Sequence, residues 1–258
     1  MKGWDIFSHS ARLVMRNWKE ALQIGLLPFV IVFVAGLLLL GGSMFSMAQM
    51  GGPEMMGDDF AAMAGFGVRF FLMWILAVFI ILTVIVNWHR FVLLEEYPSG
   101  WVPPFRMGLA LGYFGRIIML VLLAMVAMLP VMFVATMLDS ATGGTGMMVG
   151  VLTVLVGIFL GIAFYRVAAI LPAGAIGRKL SIQEAWEATQ GATGTIVVLV
   201  LVLFAANLVV QLAVAVLMMV FVPLGILAYL AATVFLGLVS VSVLTTFYGH
   251  YIEGRPIG

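Results

Sequence analysis

The chain has no cysteine, and only 9% of its 258 residues are charged. Without thiols there is no disulfide, no thiolate nucleophile, no cysteine-ligated zinc and no iron–sulfur cluster. Twelve Lys and Arg with 11 Asp and Glu are too few to cover a water-soluble domain, where about 25% of residues are charged and about 45–50% apolar. Charge is also missing at depth: no hydrophobic run described below carries Asp, Glu, Lys, Arg or His in its central part. Proton relays, voltage sensors and most ion-coupled transporters keep such groups there despite an insertion cost of about 2.5–3.5 kcal/mol each. Missing too are HExxH, the Walker A loop and the GxSxG elbow, which removes the common signatures of metalloproteases, P-loop NTPases and α/β-hydrolases.

What is present is apolar: 64% of residues are hydrophobic and the mean hydropathy is +1.23. A bilayer core about 30 Å thick takes roughly 20 apolar residues of helix. Ala21 to Ser43, Phe70 to Trp88, Ile117 to Leu138 and Met147 to Tyr165 each meet that length. The uncharged stretch Thr195 to Tyr248 is too long for one span, and Pro223-Leu224-Gly225 divides it, because Pro and Gly together mark a turn. The expected fold is therefore all-α: a polytopic membrane bundle in a single integral membrane domain, with six spans at 21–43, 70–88, 117–138, 147–165, 195–221 and 225–248.

Basic residues set the orientation. Lys2, Arg12, Arg16 and Lys19 precede the first span, and Arg90, Arg106 and Arg116 lie between the second and third. Arg166, Arg178 and Lys179 lie between the fourth and fifth, and Arg255 follows the sixth. Of the 12 Lys and Arg, only Arg69 falls on the other side, with Glu54, Asp58, Asp59 and Asp139. Cytoplasmic loops carry the excess of Lys and Arg, so both termini are expected in the cytoplasm. Ser46-Met47-Ala48 has the look of a signal cleavage site. The apolar stretch before it exceeds the 7–15 residues of a secretory h-region, so it is taken as a retained span.

Three short amphipathic helices are expected on the basic side, at 4–20, 105–116 and 182–190. In the first, Trp4, Phe7, Ala11, Met15 and Trp18 recur at steps of three and four, a pattern suited to the headgroup layer. In the third, Ser181-Ile182-Gln183-Glu184 is a capping box, with Ser181 as N-cap and Glu184 three residues on; Ile182, Ala185, Trp186 and Thr189 share one face. Between the second and third spans, Pro98, Ser99, Gly100, Pro103 and Pro104 make a stiff turn. A unit of short helix, span, outer turn and returning span would then occur three times.

Few residues point to chemistry. Gly191-Ala192-Thr193-Gly194-Thr195 lacks the lysine of a phosphate loop, so it is a small-residue start to the fifth span. His9, His89 and His250 have no metal-ligand spacing and are taken as interfacial rings. Asp58-Asp59 and Glu95-Glu96 are chain neighbours, a poor geometry for a shared acid–base pair. The loop Met44 to Phe66 holds Met44, Met47, Met50, Met55, Met56 and Met63; thioethers bind Cu(I), but the spacing is irregular and a weakly acidic loop is expected. Asn207 and Gln211, one turn apart, form a polar pair at depth, expected to bond to a neighbouring helix or, alternatively, to meet a polar substrate. Gly146, Gly150, Gly157 and Gly161 line one face of the fourth span, where close approach of another helix is expected inside the bundle, a homodimer seam being the alternative.

Arg166-Val167-Ala168-Ala169-Ile170-Leu171-Pro172, followed by Ser181-Ile182-Gln183-Glu184-Ala185-Trp186 and the Gly191–Gly194 approach to a span, resembles an element of bacterial six-span inner-membrane proteins. These are akin to the membrane domain found beside some glycerophosphodiester phosphodiesterases. The resemblance spans mainly residues 86–248, implies an inner-membrane location, and supplies no catalytic residues. The expected function is a non-enzymatic membrane scaffold or lipid-organising protein, the alternative being a permease for a small, weakly polar or lipid-like solute. No cofactor is expected. The expected partners are membrane lipids, with a second copy or another membrane protein as further options, and not nucleic acid. Arg12, Arg16, Lys19, Arg106, Arg116, Arg178 and Lys179 are the candidate contacts for anionic headgroups.

Overall fold

The computed structural model describes the backbone of residues 2–49 and 60–257 and the side chains of 2–42 and 64–257. The thioethers of the Met44–Met63 stretch and the carboxylates of Glu54, Asp58 and Asp59 lie outside the described side chains. Among the described residues the regular structure is helical: α1 Lys2–Arg16, α2 Trp18–Gln49, α3 Phe60–Leu94, α4 Met107–Ala141, α5 Met147–Val167, α6 Ile170–Ala175, α7 Ile182–Ala188, α8 Thr193–Val220 and α9 Val222–Tyr251. Six of them, α2, α3, α4, α5, α8 and α9, are long and apolar enough to cross a membrane. The protein is an all-α, six-span bundle.

Every expected span lies within one of these helices apart from Phe221, which is itself the break between α8 and α9. Its backbone is extended (φ −155°, ψ 102°), and Pro223 sits in the first turn of α9. Proline there starts a helix because its missing N–H has no partner to lose. Gly225 has a different task. A Cβ on it would stand 2.6 Å from Met218 Cα, so its lack of a side chain lets α9 turn back closely against α8.

The spans pair as sequence neighbours, α2 with α3, α4 with α5 and α8 with α9, and α3 and α9 pack together at the centre. Two clusters of buried residues make up most of the core. One cluster gathers Leu82, Val86, Ala110, Tyr113, Leu171 and Tyr248 around α6, whose six residues are all buried. The other gathers Ile6, Val14, Trp88, Ile196, Val239 and Phe247 around α1. Burial elsewhere among the described residues is scattered, at Ala135, Asp139 and Val214 for example, and α5 has none.

The short helices depart from expectation at two places. The first helix does not run from 4 to 20; it stops at Arg16, and α2 begins at Trp18. Asn17 makes the break, its Nδ2 donating to the Leu13 carbonyl at 2.8 Å. Nor does α1 merely float in the headgroup layer, for it docks on α8 and α9 through Gly3, Ile6, Ser10 and Val14. Of the expected apolar stripe, Phe7 and Ala11 are half-buried against this core, while Trp4, Met15 and Trp18 face outward, Met15 54% and Trp18 56% exposed. The helix expected at 105–116 does not exist as a separate element: α4 starts at Met107 and continues unbroken through the third span. With no separate helix there, the three-unit repeat is incomplete. The third, α7, forms with both capping-box bonds in place. Glu184 N–H donates to Ser181 Oγ at 3.1 Å, and Ser181 N–H donates to Glu184 Oε2 at 2.7 Å.

Candidate functional site

Polar chemistry collects at the basic end, starting from one strained residue. Glu95 ends α3 with φ 55°, a left-handed conformation that turns the chain back so that Glu96 meets the preceding turn. Glu96 Oε2 accepts from Arg90 Nε at 2.8 Å and from Arg106 Nη2 at 2.7 Å, and its Oε1 takes a short ion pair with Arg90 Nη2. The hydrogen bond from Arg90 holds the Glu96 carboxyl below the usual carboxylate range. Partial desolvation acts the other way, and the charges of Arg90 and Arg106 add to the lowering. Arg90 also donates to the Ala175 carbonyl at 3.2 Å, tying the end of α6 to α3. Beside this network is a cavity of about 280 Å³ lined by Asn87, Tyr97, Ser99, Pro103 and Arg106 among others. Arg106 Nε is buried without an acceptor among the described residues.

Beneath it runs a polar ladder that the sequence reading missed. Trp88 and His89 are fully buried rather than placed as interfacial rings. Ser242 and Thr245 donate to the carbonyls of Leu238 and Val241, each at 2.8 Å, so each hydroxyl is left as an acceptor. Ser242 accepts from Trp88 Nε1 at 2.7 Å. Thr245 likewise accepts from His89 Nδ1 at 2.7 Å. His89 Nε2 is then the unprotonated nitrogen, accepting from the Tyr113 hydroxyl at 3.3 Å. Ser10, whose proton goes to the Ile6 carbonyl at 2.7 Å, accepts from Thr246 at 3.0 Å. Thus α9 binds α1 and α3 directly, and α3 binds α4, through a chain of neutral groups. The available signal was the Ser242, Thr245, Thr246 spacing in an otherwise apolar span.

The basic residues do not form one ring of equivalent headgroup contacts. Arg106 is engaged by Glu96. Arg116 packs across Gly174 of α6, where a Cβ would stand 2.6 Å from its Cζ. Arg178 lies 3.8 Å from Glu253 and 3.4 Å from the Tyr248 hydroxyl. Arg166 stacks on Trp186 at 3.5 Å, turning that ring outward while Ala185 and Thr189 face in. Arg12 bonds the Ser8 carbonyl at 3.3 Å. Arg16, Lys19 and Lys179 are exposed, and the Lys19 ammonium lies 5.9 Å from the centre of the Trp18 ring.

Trp18 is one wall of a groove. The groove, about 500 Å³, opens sideways between the α1–α2 corner and α9 and is lined by apolar side chains alone, including Met15, Leu22, Phe29, Leu230 and Phe235. Its size is within the roughly 300–1,000 Å³ common for ligand pockets. The Lys19 ammonium lies over the same Trp18 ring.

The two intramembrane candidates are not where they were expected. Asn207 and Gln211 are exposed and make no hydrogen bond among the described residues. The glycine face of α5 is not an internal seam: a Cβ at Gly150, Gly157 or Gly161 would meet nothing within 4 Å. Gly146 serves the turn, beginning α5 at φ 75°. The α4–α5 hairpin is instead held by Asp139, whose carboxylate accepts from the N–H groups of Gly146 at 2.9 Å and Met148 at 3.3 Å.

No protein-family model, curated protein or solved structure matches the chain.

Proposed function

We propose that this protein is a non-enzymatic scaffold of the bacterial inner membrane, with both termini cytoplasmic, that holds anionic phospholipid at its cytoplasmic face. The observation that carries this reading is the all-apolar groove walled by Trp18, with the Lys19 ammonium over that ring. An acyl chain fits an apolar channel open to the bilayer, and a phosphate at headgroup depth fits the cation beside it. Each Lys or Arg near an anionic leaflet contributes about 1 kcal/mol, screened by salt. The resemblance of the Arg166–Pro172 and Ser181–Trp186 segments to a membrane domain beside lipid-cleaving enzymes agrees with a lipid-related role.

The test is native mass spectrometry after purification from mixed anionic and zwitterionic lipid. Wild type should retain the anionic class preferentially. Arg16→Gln with Lys19→Gln should abolish that preference, and Ala231→Phe, which fills the groove, should lower retention of both classes. Equal retention of both classes by wild type would overturn the proposal. Reporter fusions after Gly144 and after Gly258 should lie on opposite sides of the membrane, the second in the cytoplasm.

A further inference from the structure

Several hydroxyl groups in the spans satisfy themselves locally. Thr83, Thr233 and Ser240 each donate to a carbonyl one turn back on their own helix. A carboxamide has two donor hydrogens and an acceptor oxygen, more than one free backbone carbonyl can match. Asn207 and Gln211 make no such bond, and both are exposed. At about 1.5 Å per residue, Asn207 lies roughly 21 Å from the start of α8 and Gln211 about 6 Å farther along. Both therefore sit near the middle of a 28-residue helix, far from water at either end. Being four residues apart, they share a face. Phe204, 68% exposed, and Val200 lie on that face one and two turns earlier.

We propose that this face of α8 is a self-association surface whose occupant is α8 of a second copy. Copies inserted in the same orientation present Asn207 and Gln211 at the same depths. A two-fold axis along the membrane normal then sets Asn207 against Asn207 and Gln211 against Gln211. The amide is its own complement: each donates an N–H to the other's oxygen, and no second kind of partner is required. An interface of this kind is isologous and closes at two copies. Polar side chains hydrogen-bond across membrane helices in this way, and a single buried Asn can set the register of a helix pair. The inference is independent of lipid binding.

The absence of cysteine makes the test direct, since one introduced thiol is the only thiol. In native membranes under mild oxidation, Phe204→Cys should give a disulfide-linked dimer. Val209→Cys, equally exposed but on the opposite side of α8, should not. Adding Asn207→Leu and Gln211→Leu to Phe204→Cys should reduce the dimer about tenfold, as loss of two interhelical amide pairs would. Because both sites are exposed, the melting temperature in detergent should stay at the wild-type value. Equal cross-linking at 204 and 209, no dimer at 204, a product with a different protein, or a dimer unaffected by the leucine substitutions would each overturn the proposal.

Discussion

Gly3 of α1 lies directly on the backbone of α8: a Cβ there would stand 2.6 Å from the Thr195 carbonyl oxygen and 2.9 Å from the Leu199 nitrogen. Backbone cannot yield as a flexible side chain can. Gly3→Ala should therefore lift the start of α1 and lower stability in detergent by about 1–3 kcal/mol, the usual cost of overpacking. Gly25→Ala, with nothing within 4 Å, should leave the melting temperature unchanged. Equal melting temperatures for the two variants would show that α1 does not dock as described.

Trp88 and Ser242 form the second test. Ser242→Ala leaves the buried indole N–H without an acceptor, which should cost about 1–3 kcal/mol. Trp88→Phe removes the donor as well as some packing. If the two residues are coupled, the double variant should lose less stability than the two single losses added together. Strict additivity in thermal or denaturant unfolding would remove the hydrogen bond from the account.

The Glu96 network should be sensitive to acid. Its folded-state pKa is lowered, first by the hydrogen bond from Arg90. The stabilisation is thus fully present above the unfolded carboxylate value of about 4.3 and is lost as pH falls through the lower folded value. Glu96→Gln should lower the melting temperature at neutral pH and flatten its decline toward acid relative to wild type. Parallel pH profiles for the two proteins would contradict this.

Asp139 should matter more to the α4–α5 hairpin than the open glycine face of Gly150, Gly157 and Gly161 does. Asp139→Ala removes the acceptor for the first amides of α5 and should cost about 0.5–2 kcal/mol, as loss of an N-cap does. Hydrogen exchange at Gly146 and Met148 should quicken. Gly157→Leu, which adds a side chain into open space, should change the stability of the monomer in detergent by no more than about 0.5 kcal/mol.

Much of this architecture is legible in local composition. Burying a helix in hydrocarbon depends on the summed transfer free energy of about 20 residues, so the runs from Ala21, Phe70, Ile117, Met147 and Thr195 announce spans with no knowledge of their neighbours. The capping box at Ser181–Glu184 is equally local, because both partners lie within one turn. Which face of a helix meets another helix is a different matter. In a membrane the lipid-facing side is as apolar as the packed side, so the periodicity that orients helices in water carries little information. For that reason the glycines of α5 and the amides of α8 invited an internal assignment, and only the tertiary arrangement showed both faces open. In α1 the aromatic stripe Trp4–Phe7–Met15–Trp18 drew the assignment, yet Gly3, Ile6, Ser10 and Val14 are the buried residues. Shape decided there, since only the stripe with Gly3 and Ser10 lets α1 reach the backbone of α8 and the hydroxyl of Thr246.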